Sequence, residues 1–307
     1  MRKLIAIVLA VILVLSLGAC GTSPSDNKGN SSGESSVPSQ PNTNSNKGEN
    51  SAGKTVYGLK DHVVVDNDSC SMTLSDIKES STKVEFKFVC ENKSDKKLMF
   101  SADDIVINGY AFTDLFAEEV ASGKKSSETL SFSKSSLKDC GIDSVDRLSF
   151  LLRIYDSDDW MAEALVKDVF VLYPTGKTDD QIIIPDRKTG SGEQIILDNE
   201  YGMFVIYGAH DDSIWGYTVS AYILNRTDSS IMVSWDDVSV NGFMCDPFWA
   251  NSVPAGASEY TEISFSKSSF KDNGIENVEE IEFTLKMHDA GDFMKDDYVD
   301  ETFVWKP

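Results

Sequence analysis

The sequence is short of the residues that most metal, redox and nucleic-acid-binding sites require. It has three histidines in 307 residues and no Cys-x-x-Cys pair. Zinc and dithiol sites built on that spacing are therefore excluded. Basic residues are also few: 28 Lys and Arg stand against 50 Asp and Glu, giving a net charge of −22. A chain this acidic repels phosphate backbones, so we expect no nucleic-acid partner.

The sequence does contain enough apolar material to fold. Hydrophobic residues make up 41% of the chain and aromatic residues 10%, and the length suits about two domains. No motif places a nucleophile beside a base, as a hydrolase would need. We therefore expect a non-enzymatic protein without a cofactor.

The N-terminus combines two basic residues with an apolar run. Arg2 and Lys3 precede the run at 4–17, which is too short to span a bilayer as a permanent helix but suits a signal peptide. The run ends in Leu17-Gly18-Ala19-Cys20, which resembles the lipobox of bacterial lipoproteins. The resemblance implies that residues 1–19 are removed and that Cys20 carries lipid. The mature chain would then be anchored to the extracytoplasmic face of the cell membrane.

The segment that follows the lipobox has almost nothing to bury. Residues 20–55 are mainly Ser, Asn, Gly and Pro, and Val37 is among their few apolar side chains. Such a segment cannot offset the entropy lost on ordering. We expect a disordered tether that begins at the lipidated Cys20.

The rest of the chain contains an internal repeat. FSKSSLKDCGIDSV begins at Phe132, and FSKSSFKDNGIENV begins at Phe265. The same offset of 133 aligns 86–174 with 219–307 without a gap. A period this long indicates tandem globular domains rather than a solenoid. We predict a first domain at 56–174, a polar linker at 175–192 and a second domain at 193–307.

Each copy has the pattern of short antiparallel strands. Val84, Phe86, Phe88 and Cys90 alternate with polar residues, which is the period of a half-buried strand. Asn108-Gly109, like its counterpart in the second copy, predicts a two-residue hairpin. About seven strands and one helical turn in each copy predict an all-β fold of two tandem immunoglobulin-like β-sandwich domains.

Over nearly all of its mature length, the chain resembles the uncharacterised tandem Ig-like domains found on surface lipoproteins of Gram-positive bacteria such as clostridia. The blocks around Asn108-Gly109 and FSKSSLKDCGI carry that resemblance. It implies a fold and a cell-surface location but no activity.

Cys70 and Cys90 are the first candidate for special chemistry. They are equidistant from a turn predicted near residue 80, which makes them cross-strand neighbours on one face. Such neighbours come within disulfide reach when they form the closer kind of pair, and an exported chain permits the bond. The second copy has apolar residues near the matching positions, so two buried thiols are the alternative.

Two further candidates lie in turns. Asp156, Asp158 and Asp159 are clustered oxygen ligands of the kind that calcium prefers, but the second copy lacks one of the carboxylates, so a solvated acidic loop is favoured over a weak calcium site. Trp215 has no aromatic counterpart in the first copy and lies at a predicted hairpin end. It is either a recognition residue or a packing contact with the first domain.

Taken together, these features favour a non-enzymatic surface lipoprotein that binds a protein, glycan or cell-wall component through its two modules. The alternative is a structural spacer or an accessory subunit of an envelope complex. Fold alone does not decide between these functions, because unrelated functions share the same sandwich.

Overall fold

A computed structural model describes residues 55–212, 214–247 and 249–307. These residues belong to one compact unit. The elements of the first copy are β1 (His62–Asp66), β2 (Cys70–Glu79), β3 (Lys83–Asn92), β4 (Leu98–Ile107), β5 (Tyr110–Ala111), β6 (Phe116–Val120), β7 (Lys125–Ser133), α1 (Lys134–Asp139), β8 (Leu148–Asp156) and β9 (Val166–Leu172).

The second copy repeats these elements at almost the same offset. They are β10 (Gln194–Asp198), β11 (Gly202–Asp212), β12 (Gly216–Asn225), β13 (Ile231–Val240), β14 (Phe243–Met244), β15 (Ala250–Val253), β16 (Ser258–Phe265), α2 (Lys267–Asp272), β17 (Ile281–Asp289) and β18 (Val299–Trp305). A single 3₁₀ turn at Asp179–Gln181 lies in the segment that joins the copies.

Pairing of the strands gives each copy an Ig-like topology. In the first copy, the order β1-β2-β3-β7 forms one layer, and β4 pairs with both β6 and β8, with β9 beside β8, in the other. The second copy has the order β10-β11-β12-β16 opposite β13, which pairs with β15 and β17, with β18 outermost. Strand crossing between layers at these points is the Greek-key pattern of Ig-like sandwiches. The predicted all-β, Ig-like fold is confirmed.

The predicted hairpin loop at Asn108-Gly109 is present and has the backbone conformation that these residues favour. Ile107 pairs with Tyr110, so Asn108-Gly109 is a two-residue hairpin loop, and both residues have positive φ (46° and 87°). The Asn108 side chain accepts hydrogen bonds from the amides of Asp146 and Arg147, at 3.0 and 2.9 Å, which fixes the loop against the start of β8.

The helical turn α1 is capped at both ends. Ser133 lies at its N-terminus, and the Ser133 side chain accepts a hydrogen bond from the amide of Ser135. Gly141 follows the helix with φ 75°, the left-handed conformation in which helices commonly end.

The two copies share one sheet, a feature that the sequence did not predict. Ser258 at the start of β16 forms a parallel bridge with Tyr110 of β5, and its amide donates to the Gly109 carbonyl at 2.9 Å. One layer of the second copy thereby continues into one layer of the first as a nine-stranded sheet. The cores also interpenetrate, since Val205 and Tyr222 of the second copy pack in the hydrophobic cluster of the first.

The predicted linker is held against this junction by hydrogen bonds. Tyr110 donates its hydroxyl to the Pro185 carbonyl at 2.9 Å, and Tyr207 donates to the Lys188 carbonyl at 2.8 Å. The Lys188 amide donates to the hydroxyl of Tyr260 at 2.9 Å. The segment is polar, as the sequence indicated, but tyrosines from both copies bind its backbone.

A candidate binding cleft at the junction of the two copies

The predicted lipidation residue Cys20 lies outside the described residues. Among the described residues, no helical segment has the length and hydrophobicity that a membrane span requires.

Cys70 and Cys90 are not directly opposite each other, so that part of the prediction is wrong. The hairpin turns between Ser81 and Thr82, later than expected, and a bulge follows Leu74. Cys70 therefore pairs with Asn92 and Cys90 with Met72. Diagonal neighbours are farther apart than the Cβ separation of a disulfide. Both cysteines are buried free thiols, and burial raises the pKa of Cys90 to about 12.

The acidic loop after β8 is engaged with lysines. A carboxylate oxygen of Asp156 lies 2.9 Å from the Lys96 ammonium, which lowers the pKa of Asp156, and Asp158 lies 3.4 Å from Lys97. Asp159 contributes its backbone amide to the same turn. Within the described ranges, no group of three or more His, Cys, Asp or Glu side chains could hold a metal ion.

Trp215 lies at the β11–β12 hairpin and is 66% exposed. The Asp212 carboxylate accepts the backbone amides of Ile214 and Trp215, each at 2.7 Å. Gly216 follows with φ 92°, where an added Cβ would come within 2.2 Å of the Phe265 carbonyl oxygen. The backbone on both sides of the indole is thus held in place while the ring faces solvent.

A pair of equivalent aromatic residues is exposed where the sequence pattern predicts burial. Trp160 and its counterpart Phe293 are apolar in both copies, a pattern that predicts core positions, yet they are 68% and 71% exposed. Each lies in the loop before the last strand of its copy. The next residues, Met161 and Met294, are exposed as well. Apolar character shared by two copies therefore does not establish burial here.

Tyrosines cover the outer face of the β11–β12–β16 layer where it meets the first copy. Tyr110 stacks on Tyr260 with ring centroids 5.8 Å apart and planes 6° from parallel. Tyr207 and Tyr222 contact the other side of the cluster, with centroids 5.9 and 5.3 Å from Tyr260. Such offset and tilted aromatic pairs contribute beyond their buried area, so the cluster joins the copies firmly.

Arg187 from the joining segment completes the cluster. Its guanidinium lies 5.9 Å from the ring centroid of Tyr207 and 5.8 Å from that of Tyr222, within cation–π range. It also forms a bidentate pair with Glu193, with N–O distances of 2.8 and 3.0 Å, which lowers the pKa of that carboxyl. The fork geometry orients the cation over the rings.

Next to the tyrosine cluster, the two copies separate and leave a cleft of about 590 Å³. Its walls are residues 111–113 and the end of α1 from the first copy, and β16 from the second. The groups that line it are aromatic rings, carboxyls, a thiol and an ammonium group. They include Phe112, Tyr207, Tyr260, Asp139, Glu259, Glu262, Cys140 and Lys188. A concave site with an apolar wall and a few converging polar groups has the character of a binding site.

Glu259 is the most unusual group in the cleft. Its Oε1 accepts a hydrogen bond from the Asn251 side chain at 2.8 Å, whereas Oε2 is buried and has no partner among the described residues. Burial raises the pKa of Glu259 to about 8. The carboxyl is therefore largely protonated at neutral pH and can donate a hydrogen bond as well as accept one.

Two further cavities adjoin the cleft along β16. Glu259 also lines a cavity of about 390 Å³ that contains Asp103 and Asp104. Glu262 also lines a cavity of about 430 Å³ that ends at Trp215. The open side of β16 is thus bordered by concave surface from Glu259 to the exposed indole.

Sequence reasoning singled out Trp215 but missed the cleft. Glu259 occupies a strand position that alternation alone marks as ordinary, and its counterpart in the first copy is Ser126. The signal that could have found it is the repeat itself, because a serine in one copy and a glutamate in the other differ in charge and size.

No family model and no curated protein matches the sequence. Among solved structures, the chain is similar to the Salmonella enterica SafA pilin in complex with the SafB chaperone. That match has 8% identity and a TM-score of 0.18, and covers 73% of this chain and 89% of that one. A mutant of Bacillus subtilis oxalate decarboxylase OxdC aligns at 10% identity and a TM-score of 0.11, covering 69% and 74%. Scores this low support no inference about fold or function.

Proposed function

We propose that the chain is a lipid-anchored, non-enzymatic binding protein of the bacterial cell surface. It uses the cleft between its two Ig-like copies, together with Trp215, to hold a protein or cell-wall component. The observation that carries the proposal is the cleft of about 590 Å³ beside β16, with aromatic and carboxyl groups on its walls.

Three properties of the cleft support a binding role. Its two walls come from different copies, and the tyrosine cluster and the bridge at Ser258 hold those walls together. A preorganised site loses less conformational freedom when a ligand binds. Trp215, at the far end of the adjoining cavity, is an exposed aromatic of the type that dominates binding energy at interfaces.

Two equally exposed tryptophans allow a controlled test of binding. The full-length lipoprotein, with a photo-reactive amino acid at position 264, which lines the cavity with Trp215, would be cross-linked in intact cells and the adducts identified. We expect a specific adduct that is lost with Trp215→Ala and kept with Trp160→Ala, because only Trp215 borders β16. No adduct, or equal loss in both variants, would contradict the proposed function.

The proposed anchor needs a test of its own. The wild-type chain should fractionate with membranes and incorporate a clickable palmitate analogue, whereas Cys20→Ala should incorporate none. Unlipidated wild-type protein in the cytosol would refute this part of the proposal.

A spacer or accessory-subunit role is the second candidate. The observation in its favour is that Tyr110 and Tyr207 donate hydrogen bonds to backbone carbonyls of the segment that joins the copies. A spacer needs its two copies to be held in a fixed orientation, and these hydrogen bonds restrict the segment between them. It predicts cross-links that are independent of Trp215, so the same experiment separates the two roles.

A further inference from the structure

In the part of the chain that the structure describes, one edge of β16 has no neighbouring strand beyond its first residue. Ser258 pairs with Tyr110, and within the described part of the chain no other strand pairs with that side of β16. The other side of β16 is fully paired with β12 from Tyr217 to Leu224. The open edge forms one wall of the cleft and of the cavity that ends at Trp215.

The hydrogen-bond alternation of the sheet shows which amides face the cleft. The Asn225 amide donates to the Ala257 carbonyl, so odd-numbered residues of β16 bond to β12. The amides of Tyr260, Glu262 and Ser264 therefore point to the open side, like that of Ser258. No acceptor for these three amides occurs among the described residues.

The first copy protects the same edge, which makes the difference informative. There, the Asp114 carboxylate accepts the amide of Ser131 at 2.6 Å, and Glu128 accepts the amide of Thr129 at 2.8 Å. Side-chain caps of this kind prevent unwanted strand addition.

The second copy has lost both caps. At the offset of 133, Pro247 replaces Asp114, and proline has no side-chain acceptor. Thr261 replaces Glu128, and the Thr261 hydroxyl already accepts the side chains of Trp249 and Asn251, at 3.0 and 2.9 Å. Among the described residues, the amides of Glu262 and Ser264 thus have no acceptor and are available to a guest strand.

The charges around the edge indicate the sign of the guest. Glu262 is 61% exposed on β16 itself, Asp246 lines the cavity with Trp215, and Asp139 lines the cleft. Glu259 adds no charge at neutral pH because burial keeps it largely protonated. Lys188 is the lysine on the cleft wall. The excess of carboxyls favours a cationic ligand, in keeping with the net charge of −22.

Resting on the proposed function, we infer that the open edge of β16 binds an extended, basic segment of a partner polypeptide. The segment adds to the sheet as a strand between Tyr260 and Ser264, in the mode of β-augmentation. This edge accommodates about five residues, roughly 17 Å of extended chain. Alternate basic side chains of the guest reach Glu262 and Asp246, and an apolar side chain at its end contacts the Trp215 ring.

Hydrogen exchange on the full-length protein with a defined probe tests this inference. The probe is a blocked heptapeptide of alternating Lys and Val. We expect it to slow amide exchange in 258–265 by about tenfold or more at saturation, and to leave the capped counterpart 125–133 unchanged. The same peptide with N-methyl groups on alternate residues keeps the charge but cannot pair, and a Glu–Val peptide reverses the charge. Neither should protect the segment.

Restoring the missing cap provides an independent arm. Pro247→Asp copies the arrangement at Asp114 and should weaken peptide binding by about tenfold, since it occupies the Ser264 amide. Thermal melting checks that the variant folds, and the N-methyl peptide keeps the test valid if it does not.

Different results would overturn the inference. Equal binding of the methylated peptide would mean that charge alone acts, and protection of 125–133 would mean that the edge is not specific. Protection of 258–265 without peptide, released by deleting residues 21–54, would mean that the tether occupies the edge. Loss of the in-cell adduct with Trp215→Ala but not with Pro247→Asp would leave the proposed function intact while rejecting strand addition.

Discussion

Glu259→Gln should remove a destabilisation that grows with pH. The ordinary pKa of the carboxyl is 4.5, and burial raises it to about 8 in the folded protein. Between these values the unfolded chain releases the proton and the folded chain retains it. The unfolded state therefore binds fewer protons, and the stability of the wild type falls as pH rises, by about 1.4 kcal/mol per pH unit. The loss stops once the folded carboxyl ionises, near pH 8.

Glutamine keeps the shape and the acceptor for Asn251 but does not titrate in this range. The free energy of unfolding of the variant should gain on that of the wild type by a few kcal/mol in total between about pH 5 and 9. Urea unfolding at about pH 5, 7 and 9 measures this difference, because urea adds no charge. Glu301→Gln, at an exposed strand position on β18, is the control and should run parallel to the wild type. A difference for Glu259→Gln that is constant with pH would refute the argument.

Three further predictions follow from the packing. Gly216→Ala should destabilise by several kcal/mol in a melt because its Cβ meets the Phe265 carbonyl, whereas Gly123→Ala, with positive φ in open space, should cost only about 1 kcal/mol; equal losses would contradict this. Asn225→Ala should cost about 2–3 kcal/mol in urea unfolding, since its buried amide donates to three backbone carbonyls, at 2.8 to 3.1 Å. Without reductant, native protein should alkylate at most at Cys140, and denatured protein at the four described cysteines; only two of these four alkylated after denaturation would indicate an oxidised pair.

Much of the fold could be predicted because its signals are local. Alternation in β3, the Asn108-Gly109 loop and the capped turn before Gly141 each depend on a few neighbouring residues. The repeat then transferred every element to the second copy. Strand register is less local: the later turn and the bulge after Leu74 together place Cys70 opposite Asn92.

The cleft could not be predicted because it arises between the copies. Tyr207, Tyr222 and Tyr260 lie on the outer face of their layer, where alternation predicts solvent. They are covered only because β16 joins β5 and because the segment around Lys188 folds over them. The spacing of apolar residues within the second copy does not indicate that the first copy packs against it. Trp160 shows the converse failure, since a large apolar side chain stayed exposed.

The parallel bridge between Ser258 and Tyr110 also affects which substitutions each copy can tolerate. The two copies of a duplicated domain usually accept substitutions independently of each other. Here, the outward-facing tyrosines of the second copy pack in the hydrophobic cluster of the first copy. A polar substitution at Tyr222 would therefore lower the stability of the first copy as well as that of the second. Calorimetry should record a single cooperative transition for both, and either half expressed alone should aggregate through its bare rings.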